Sequence, residues 1–341
     1  MTPPPLAMLN TGLVTSVGLT TAGACAAIRA GVSIASETRF IDSLGEPIRA
    51  HRVPLEEPWL GITRLAKMAA RAAEEALTGV PRERWCDIPL LLCLAEAERH
   101  DRPDLGSALF AAVEQELRVR FATGSSTIAL GRVSVAVALE RARELLSSGP
   151  VPCVLLLAAD SLLNAAALRK YDHGGRLLTE ENSDGFIPGE AAGAVLVGAA
   201  GPETPVRCVG LGFATEAAVP DSGLPSRAEG LTQAIGTALA EAGRGLQDVD
   251  VRVTDLSGEQ YYFKEAAVAL SRLLRVRREQ IDLWHPAECI GEVGAVAGIA
   301  VLAVARTALT KGYAPGPLVL AHFASDDGRR AAAVLECVRS S

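Results

Sequence analysis

The residues best placed to do chemistry stand in a row, Gly131-Arg132-Val133-Ser134, at the head of a stretch that reads as a helix diving into the protein N-terminus first. Val135 to Leu139 is wholly apolar, and charge returns only at Glu140, Arg141, Arg143 and Glu144, while Ala142, Leu145 and Leu146 keep one apolar stripe. A buried helix N-terminus offers unpaired N–H groups and a partial positive charge, which suits a nucleophile or an anion. Ser134 would be the nucleophile, but a serine hydroxyl needs a nearby base; otherwise it is a polar residue of the first helical turn. Arg132 is a cation where the helix dipole disfavours one by up to ~1 kcal/mol. It therefore requires an anion: Glu292, Asp326 or Asp327 within the chain, or the phosphate or carboxylate of a ligand. Buried charges are normally paired, so Arg132 and Glu292 are expected to approach one another.

Other reactive types are less well supported. Cys289 with His285 would make a thiol–imidazole pair, yet no acid or oxyanion donor flanks them, and a buried free thiol is the plainer reading of Cys289. His51, His100, His173 and His322 have no metal-ligand spacing. The chain carries no GxSxG elbow, P-loop or dinucleotide fingerprint, so neither a cofactor nor a metal is expected.

The elements that must position these residues alternate in a strand–helix rhythm. Residues 8 to 30 read as a strand, a Gly-containing turn and a Thr-capped helix; 31 to 60 as a surface excursion; 62 to 77 as an amphipathic helix; and 88 to 95 as a buried strand. Helix 132–146 is stopped by Gly149-Pro150-Val151-Pro152 and leads into a fully buried strand, 153–159. An irregular excursion, 160 to 182, precedes a loop and strand. A break at Pro202 to Pro205 opens a second series: strand 206–213, helix 227–242, strand 249–255, helix 262–274, helix 294–310, and strands 317–323 and 331–338. Each half holds one Ala/Val-rich buried helix, so a duplicated α/β layer fold is expected.

Composition bounds the class. The chain has 341 residues, 49% hydrophobic but only 4% aromatic, which implies an Ala/Val/Leu core with close helix packing. A net charge of −7 without a basic block argues against nucleic acid as a partner. The start, MTPPPLAMLN, lacks the features of a signal peptide. The longest apolar run, Val293 to Ala305, reads as too short and too rich in Gly and Ala to span a bilayer. Seven Cys without a CxxC pair fit reduced thiols, and a cytoplasmic location is expected.

At this point the order of motifs resembles the β-ketoacyl synthases (ketosynthases) of the thiolase superfamily. GLVTSVG is similar to their opening strand and helix. DGFIPGEAAGAVLVG is similar to the family's DGFxxGEGAG segment, residues 222 to 258 to the helix and strand before its first catalytic His, and GEVGAVAG at 291 to 298 to its GHTLGAAG segment. The resemblance implies a five-layer α-β-α-β-α fold of two halves, 1–203 and 204–341. It also implies a dimer paired along TGSSTIAL, 123 to 130.

It further implies an altered site. The nucleophilic Cys of the family falls on Arg132, its first His on Leu256 and its second His on Glu292. The Lys before that second His becomes Ala287 and the Glu paired with it becomes Val301, and SDDG at 325 to 328 replaces an oxyanion loop. Cys-His-His condensation is then not available, and no residue is expected to be catalytic. Losing the Lys and its Glu together avoids an unpaired buried charge, so the fold looks kept for another purpose. Arg132, Ser134, Ser257, Glu259 and Asp326 remain as ligand-binding candidates, although Ser257 and Glu259 also read as a capped turn before helix 262–274. Asp184, Phe186, Gly189 and Glu190 are implied to be structural. The resemblance implies a non-catalytic ketosynthase-like protein, either the inactive partner of an active ketosynthase, as chain length factors are, or a type VI secretion-associated adaptor. An acyl carrier protein or a secretion effector would be the further partner. The alternatives are an acyltransferase with a rebuilt site, or an acyl- or carboxylate-binding module anchored by Arg132.

Overall fold

Runs such as Leu90–Leu94 and Cys153–Ser161 are apolar on both faces because the strands they form are covered on both sides. The structure, a computed structural model, describes residues 3–96, 99, 105–220, 222–278 and 280–338. In the first half of the chain β1 (Leu6–Val14), β4 (Leu90–Leu94), β5 (Ser126–Ala129), β6 (Cys153–Ser161) and β7 (Glu190–Ala199) lie in the order β5-β4-β6-β7-β1. In the second half β8 (Val206–Thr215), β9 (Val251–Thr254), β10 (Asp282–Trp284), β11 (Leu318–Ala324) and β12 (Arg329–Cys337) lie in the order β10-β9-β11-β12-β8. Numbered within each half, both orders are 3-2-4-5-1. In both, the second strand pairs parallel with the third and fourth, and the fifth runs antiparallel to the fourth and first. Two residue pairs, Leu6 with Cys208 and Ala7 with Arg207, join the halves into one ten-stranded sheet.

The helices complete five layers. Helix α4 (Ser134–Ser148) and α9 (Ala297–Lys311) lie between the two halves, each packing on strands of both. Helices α2 (Gly61–Ala76) and α3 (Leu105–Leu117) cover the outer face of the first half, and α6 (Glu229–Glu241) and α7 (Gln260–Leu273) that of the second. Among the described residues the apolar side chains gather in four clusters, a central one around α4 and α9, one under each outer layer, and a small one around Leu162, Leu168, Tyr171 and Phe186. The N-terminal α1 (Thr21–Arg29) is capped by Thr20, whose side chain accepts from Gly23 N.

Three local readings change. Residues 31 to 60 contain a hairpin, β2 (Ser36–Ile41) and β3 (Pro47–Ala50), and residues 160 to 182 contain α5 (Ala165–His173). The start of α5 is fixed by Asn164, whose side chain accepts from Ala167 N at 2.9 Å, a cap signal present in the sequence. The apolar stretch Gly294–Lys311 is long and apolar enough to cross a membrane, contrary to the reading of Val293 to Ala305 as too short. Its apolarity has another cause, burial between the two half-sheets.

Candidate functional site

The chain reaches α4 from edge strand β5 through a tight turn. Gly131 takes φ +59°, which favours glycine, and a side chain there would displace the carboxylate of Glu96. One 3-10 turn, Gly131–Val133, then feeds α4 and leaves Arg132 only 6% exposed. Its guanidinium meets three carboxylates: Nη2 lies 2.6 Å from Asp326 Oδ1, Nη1 3.3 Å from Glu292 Oε2, and Nε 3.9 Å from Asp255 Oδ2. The ring of Tyr262 lies under the cation, 4.6 Å from Arg132 Cζ, and its hydroxyl donates to Asp326 Oδ1. Asp326 also takes Arg176 Nη1 at 2.6 Å, and Arg176 binds Glu259 through Nε at 2.7 Å and Nη2 at 2.8 Å. The result is a continuous chain of alternating charge, Glu259–Arg176–Asp326–Arg132–Glu292.

Burial and pairing oppose each other in this chain. Burial works against the charge on Arg132, but Tyr262, Glu292, Asp326 and Asp255 outweigh it and hold the guanidinium firmly protonated. Asp326 is likewise penalised by burial, yet Arg132 and Arg176 keep its carboxyl below the usual range. Glu292 is pushed up, chiefly by burial, against the pull of Arg132 and of the Gly294 N–H, 2.8 Å from Oε1. Asp255 is pushed up to about 6 by burial, even with Arg132 nearby and the Ala324 N–H at 2.9 Å. A second ion pair, Arg99 with Asp160, closes the site from the side of β6, where Asp160 Oδ2 also accepts the Ala295 N–H at 2.9 Å. Between the two networks a cavity of about 10 Å³ remains, lined by Arg99, Arg132, Arg176, Tyr171, Phe186 and Glu292 among others. Such a volume holds about one water. A larger groove, about 330 Å³, lies beside Trp59 on the outer side of α2 and shares none of these residues.

The structure therefore brings Arg132, Glu292, Asp326 and Glu259 into one network. Ser134 is fully buried: its Oγ accepts from Leu130 N at 3.0 Å and faces the carbonyl oxygens of Ile128 at 3.1 Å and Leu94 at 3.3 Å. It ties the turn together, and among the described residues no base is hydrogen-bonded to it. Leu256 packs into the outer apolar cluster of the second half. Ser257 lies beside Glu292, outside good hydrogen-bonding geometry but near enough to favour its charged form. Asp327 is not a partner of Arg132, because it pairs with Arg329 on the exposed turn. Cys289 and His285 do not pair either. The thiol faces the Ile28 carbonyl at 3.8 Å and is pushed up by burial, while His285 contacts Glu288 at 2.9 Å.

Asp184, Phe186, Gly189 and Glu190 of the DGFxxGE-like loop each have a structural partner. Asp184 accepts the Gln260 N–H at 2.7 Å at the start of α7, and Phe186 meets the Tyr171 ring edge-on at 5.0 Å. Gly189 N donates to the Glu292 carbonyl at 2.8 Å, and Glu190 holds Arg64, with Nε–Oε1 at 3.0 Å. Among the described residues no group of three His, Cys, Asp or Glu is arranged to hold a metal; His100 lies outside them.

Sequence reasoning missed Arg176, Tyr262, Asp255 and the Arg99–Asp160 pair. Arg176 sits in the segment read as irregular, and only the placement of α5 carries it over the site. Tyr262 and Asp255 lie in DLSGEQYY, next to residues that were singled out, and an Arg forecast to be buried was the available signal for an aromatic and a further acid beside it.

No protein-family description and no curated protein matches the sequence. Solved structures do match in fold. The chain superposes on the ishigamide ketosynthase/chain length factor with a TM-score of 0.80 at 18% identity, covering 99% of this chain and 100% of the other. A type II polyketide synthase acyl-carrier protein in complex with its ketosynthase bound to the hexaketide gives 0.83 at 15% identity, with 98% and 100% covered. A ketosynthase in complex with its chain length factor from Xenorhabdus doucetiae gives 0.79 at 12% identity, with 98% of each chain covered. The protein thus has the thiolase-like ketosynthase fold over its whole length. At these identities the likeness is one of fold.

Proposed function

We propose that this chain is a non-condensing, ketosynthase-like accessory subunit that works beside a ketosynthase-like partner in the manner of a chain length factor. The observation that carries the reading is the state of Arg132. At the head of the buried helix, where the resemblance places the acylated Cys of a ketosynthase, stands a guanidinium saturated by Glu292, Asp326 and Asp255. A guanidinium stays protonated and cannot attack a thioester. Leu256 offers no hydrogen bond to a developing oxyanion, and the carboxylate of Glu292 would repel an enolate that an imidazole would stabilise. The cavity of about 10 Å³ leaves no room for an acyl chain. Saturation of Arg132 also weakens the carboxylate-binding alternative, and the backbone commitments of Ser134 weaken the rebuilt acyltransferase.

Edge strand β5 is open for pairing with a second chain, and its Ser126, Thr127 and Ala129 are exposed. We place the dimer contact there, with a ketosynthase-like chain or a second copy as partner and an acyl carrier protein or a secretion effector as the client. Seven free cysteines, five of them buried, suit a reducing cytoplasm. The test is incubation with radiolabelled acyl- and malonyl-loaded carrier proteins. The expected result is neither acyl-enzyme nor ketoacyl product, while sedimentation at micromolar concentration gives a dimer or, with a ketosynthase-like chain added, a heterodimer. A covalent acyl adduct mapped to any residue by mass spectrometry overturns the reading and promotes the rebuilt-site enzyme.

A further inference from the structure

Residues 53 to 60 and helix α2 build a surface feature that the Arg132 network does not use. Leu55 N donates to the Val53 carbonyl at 3.0 Å and Trp59 N to the Glu57 carbonyl at 2.9 Å, so two tight turns hold this segment, with Pro54 and Pro58, as a fixed wall. On α2, Lys67, Ala70, Arg71 and Glu74 stand three and four residues apart and form one stripe about 10 Å long. Ala70 is small between longer side chains and leaves a trough along that stripe, part of the groove of about 330 Å³. Leu55 and the half-buried Trp59 complete its apolar surface. Leu60, the next residue, is 65% exposed, more than any other large apolar side chain among the described residues. Apolar surface left open beside a groove marks an interaction site.

The charges around the groove select the partner. Lys67 is already matched, with Nζ 2.8 Å from Glu116 Oε2 and 5.1 Å from the centre of the Trp59 ring. Arg71 turns its Nε to the Leu19 carbonyl at 3.2 Å. Glu56 and Glu74 line the groove from exposed positions, and Glu57 beside Glu56 is exposed as well. The rim is therefore acidic, in a chain of net charge −7, and the indole below it is a surface that cations favour. A phosphate-bearing partner would be repelled and a basic one drawn in.

We propose that this groove docks a basic amphipathic helix of a partner protein. The apolar face of that helix rests on Trp59 and Leu60, and its arginines or lysines reach Glu56 and Glu74. A helix fits because a stripe two turns long receives side chains of the same three- and four-residue spacing. The groove shares no residue with the Arg132 network or with β5, so docking and the accessory-subunit reading fail or stand separately.

The test is titration of the full chain, by calorimetry and by tryptophan fluorescence, with a synthetic peptide carrying leucine and arginine at amphipathic helical spacing. The control is the same peptide with glutamate in place of arginine. Saturable binding of the arginine peptide that weakens with added salt is expected, with none of the glutamate peptide. Of the three tryptophans, Trp59 should report it, so Trp59→Phe should abolish the fluorescence change while calorimetry still detects binding. Trp59→Ala should weaken binding about tenfold, as loss of a central aromatic anchor does. Glu74→Lys should weaken the arginine peptide and admit the glutamate peptide, whereas Glu203→Lys, the same charge change at an exposed site outside the groove, should do neither. No saturable binding, equal binding of the two peptides, or equal losses in Glu74→Lys and Glu203→Lys overturns the site.

Discussion

The same turn is built twice in this protein, once at the head of each central helix, and the two copies are used differently. Gly131 and Gly294 take φ +59° and +57°, each opens a three-residue 3-10 turn, Gly131–Val133 and Gly294–Val296, and each turn feeds a 15-residue helix, α4 or α9. Both glycines press against a carboxylate, Gly131 on Glu96 and Gly294 on Asp160. In the second copy Ala295 follows the glycine, and its amide satisfies Asp160 directly. In the first copy Arg132 follows, and its long side chain recruits Asp255, Glu292 and Asp326 from the second half of the molecule. Turns of matching φ thus hold a backbone amide against a carboxylate in one place and a side-chain cation among carboxylates in the other.

Removing the cation is the severest way to break the contrast. Arg132→Leu leaves Glu292 and Asp255 buried without their partner and should cost roughly 3–5 kcal/mol of stability at pH 7 in urea unfolding. Adding Glu292→Gln to that variant should recover part of the loss. If Arg132→Leu unfolds like wild type, the network is not what the site stands on.

A methyl group at either glycine tests whether the turns are equally rigid. Both substitutions incur the left-handed backbone cost of about 1–2 kcal/mol. Gly294→Ala should lose about 3 kcal/mol, because the Asp160 it meets is locked by Arg99 and Ala295. Gly131→Ala should stay nearer the backbone cost, since Glu96 is a side chain that can swing aside. Equal losses would contradict this account. Ser134 has Ala297 as its counterpart in the second copy, so Ser134→Ala should cost only about 1 kcal/mol, the worth of the bonds to Leu130 and Ile128. It should leave the response to acyl-carrier substrates unchanged.

The smallest effect is a gain. Asp255 is raised to about 6 in the fold, so its contribution is fully present below the unfolded carboxylate range, near pH 4, and is lost as pH rises through about 6. Asp255→Asn should therefore be more stable than wild type at pH 7.5, by on the order of 1 kcal/mol. Its stability should change less between pH 5 and 7.5. Asp326 works in the opposite sense: held below the usual range, it favours the fold at neutral pH and loses that contribution on acidification.

What was legible in the sequence follows from the range of the interactions. The buried head of α4 was written in Val135 to Leu139, because a run with no polar face can only be enclosed. The approach of Arg132 to Glu292 followed from the rule that buried charges pair, together with the resemblance that set both at one site. Arg176 was not legible, because its role depends on how α5 and the turn after it fold over Tyr171 and Phe186. Asp327 and Asp326 are adjacent and chemically alike, and only the path of the turn between β11 and β12 decides which one faces Arg132. The matching turns at Gly131 and Gly294 were also invisible, since GRVSV and GAVAG share little but the glycine and one valine.

The strand order has a consequence for the growing chain. In each half the first strand made is zipped to the last: Leu6 pairs with Ala199 on β7, and Val206 with Cys337 on β12. A nascent chain emerging from the ribosome must therefore carry β1 with an open edge until almost two hundred residues have followed it, and β8 until the final strand appears. Non-local closure of this kind is slow and exposes sticky edges. The two-pair seam of β1 with β8 can form only after β8 has been made. Translation speed around residues 150 to 200, and chaperone access to β1, therefore become determinants of yield, independently of how stable the finished protein is.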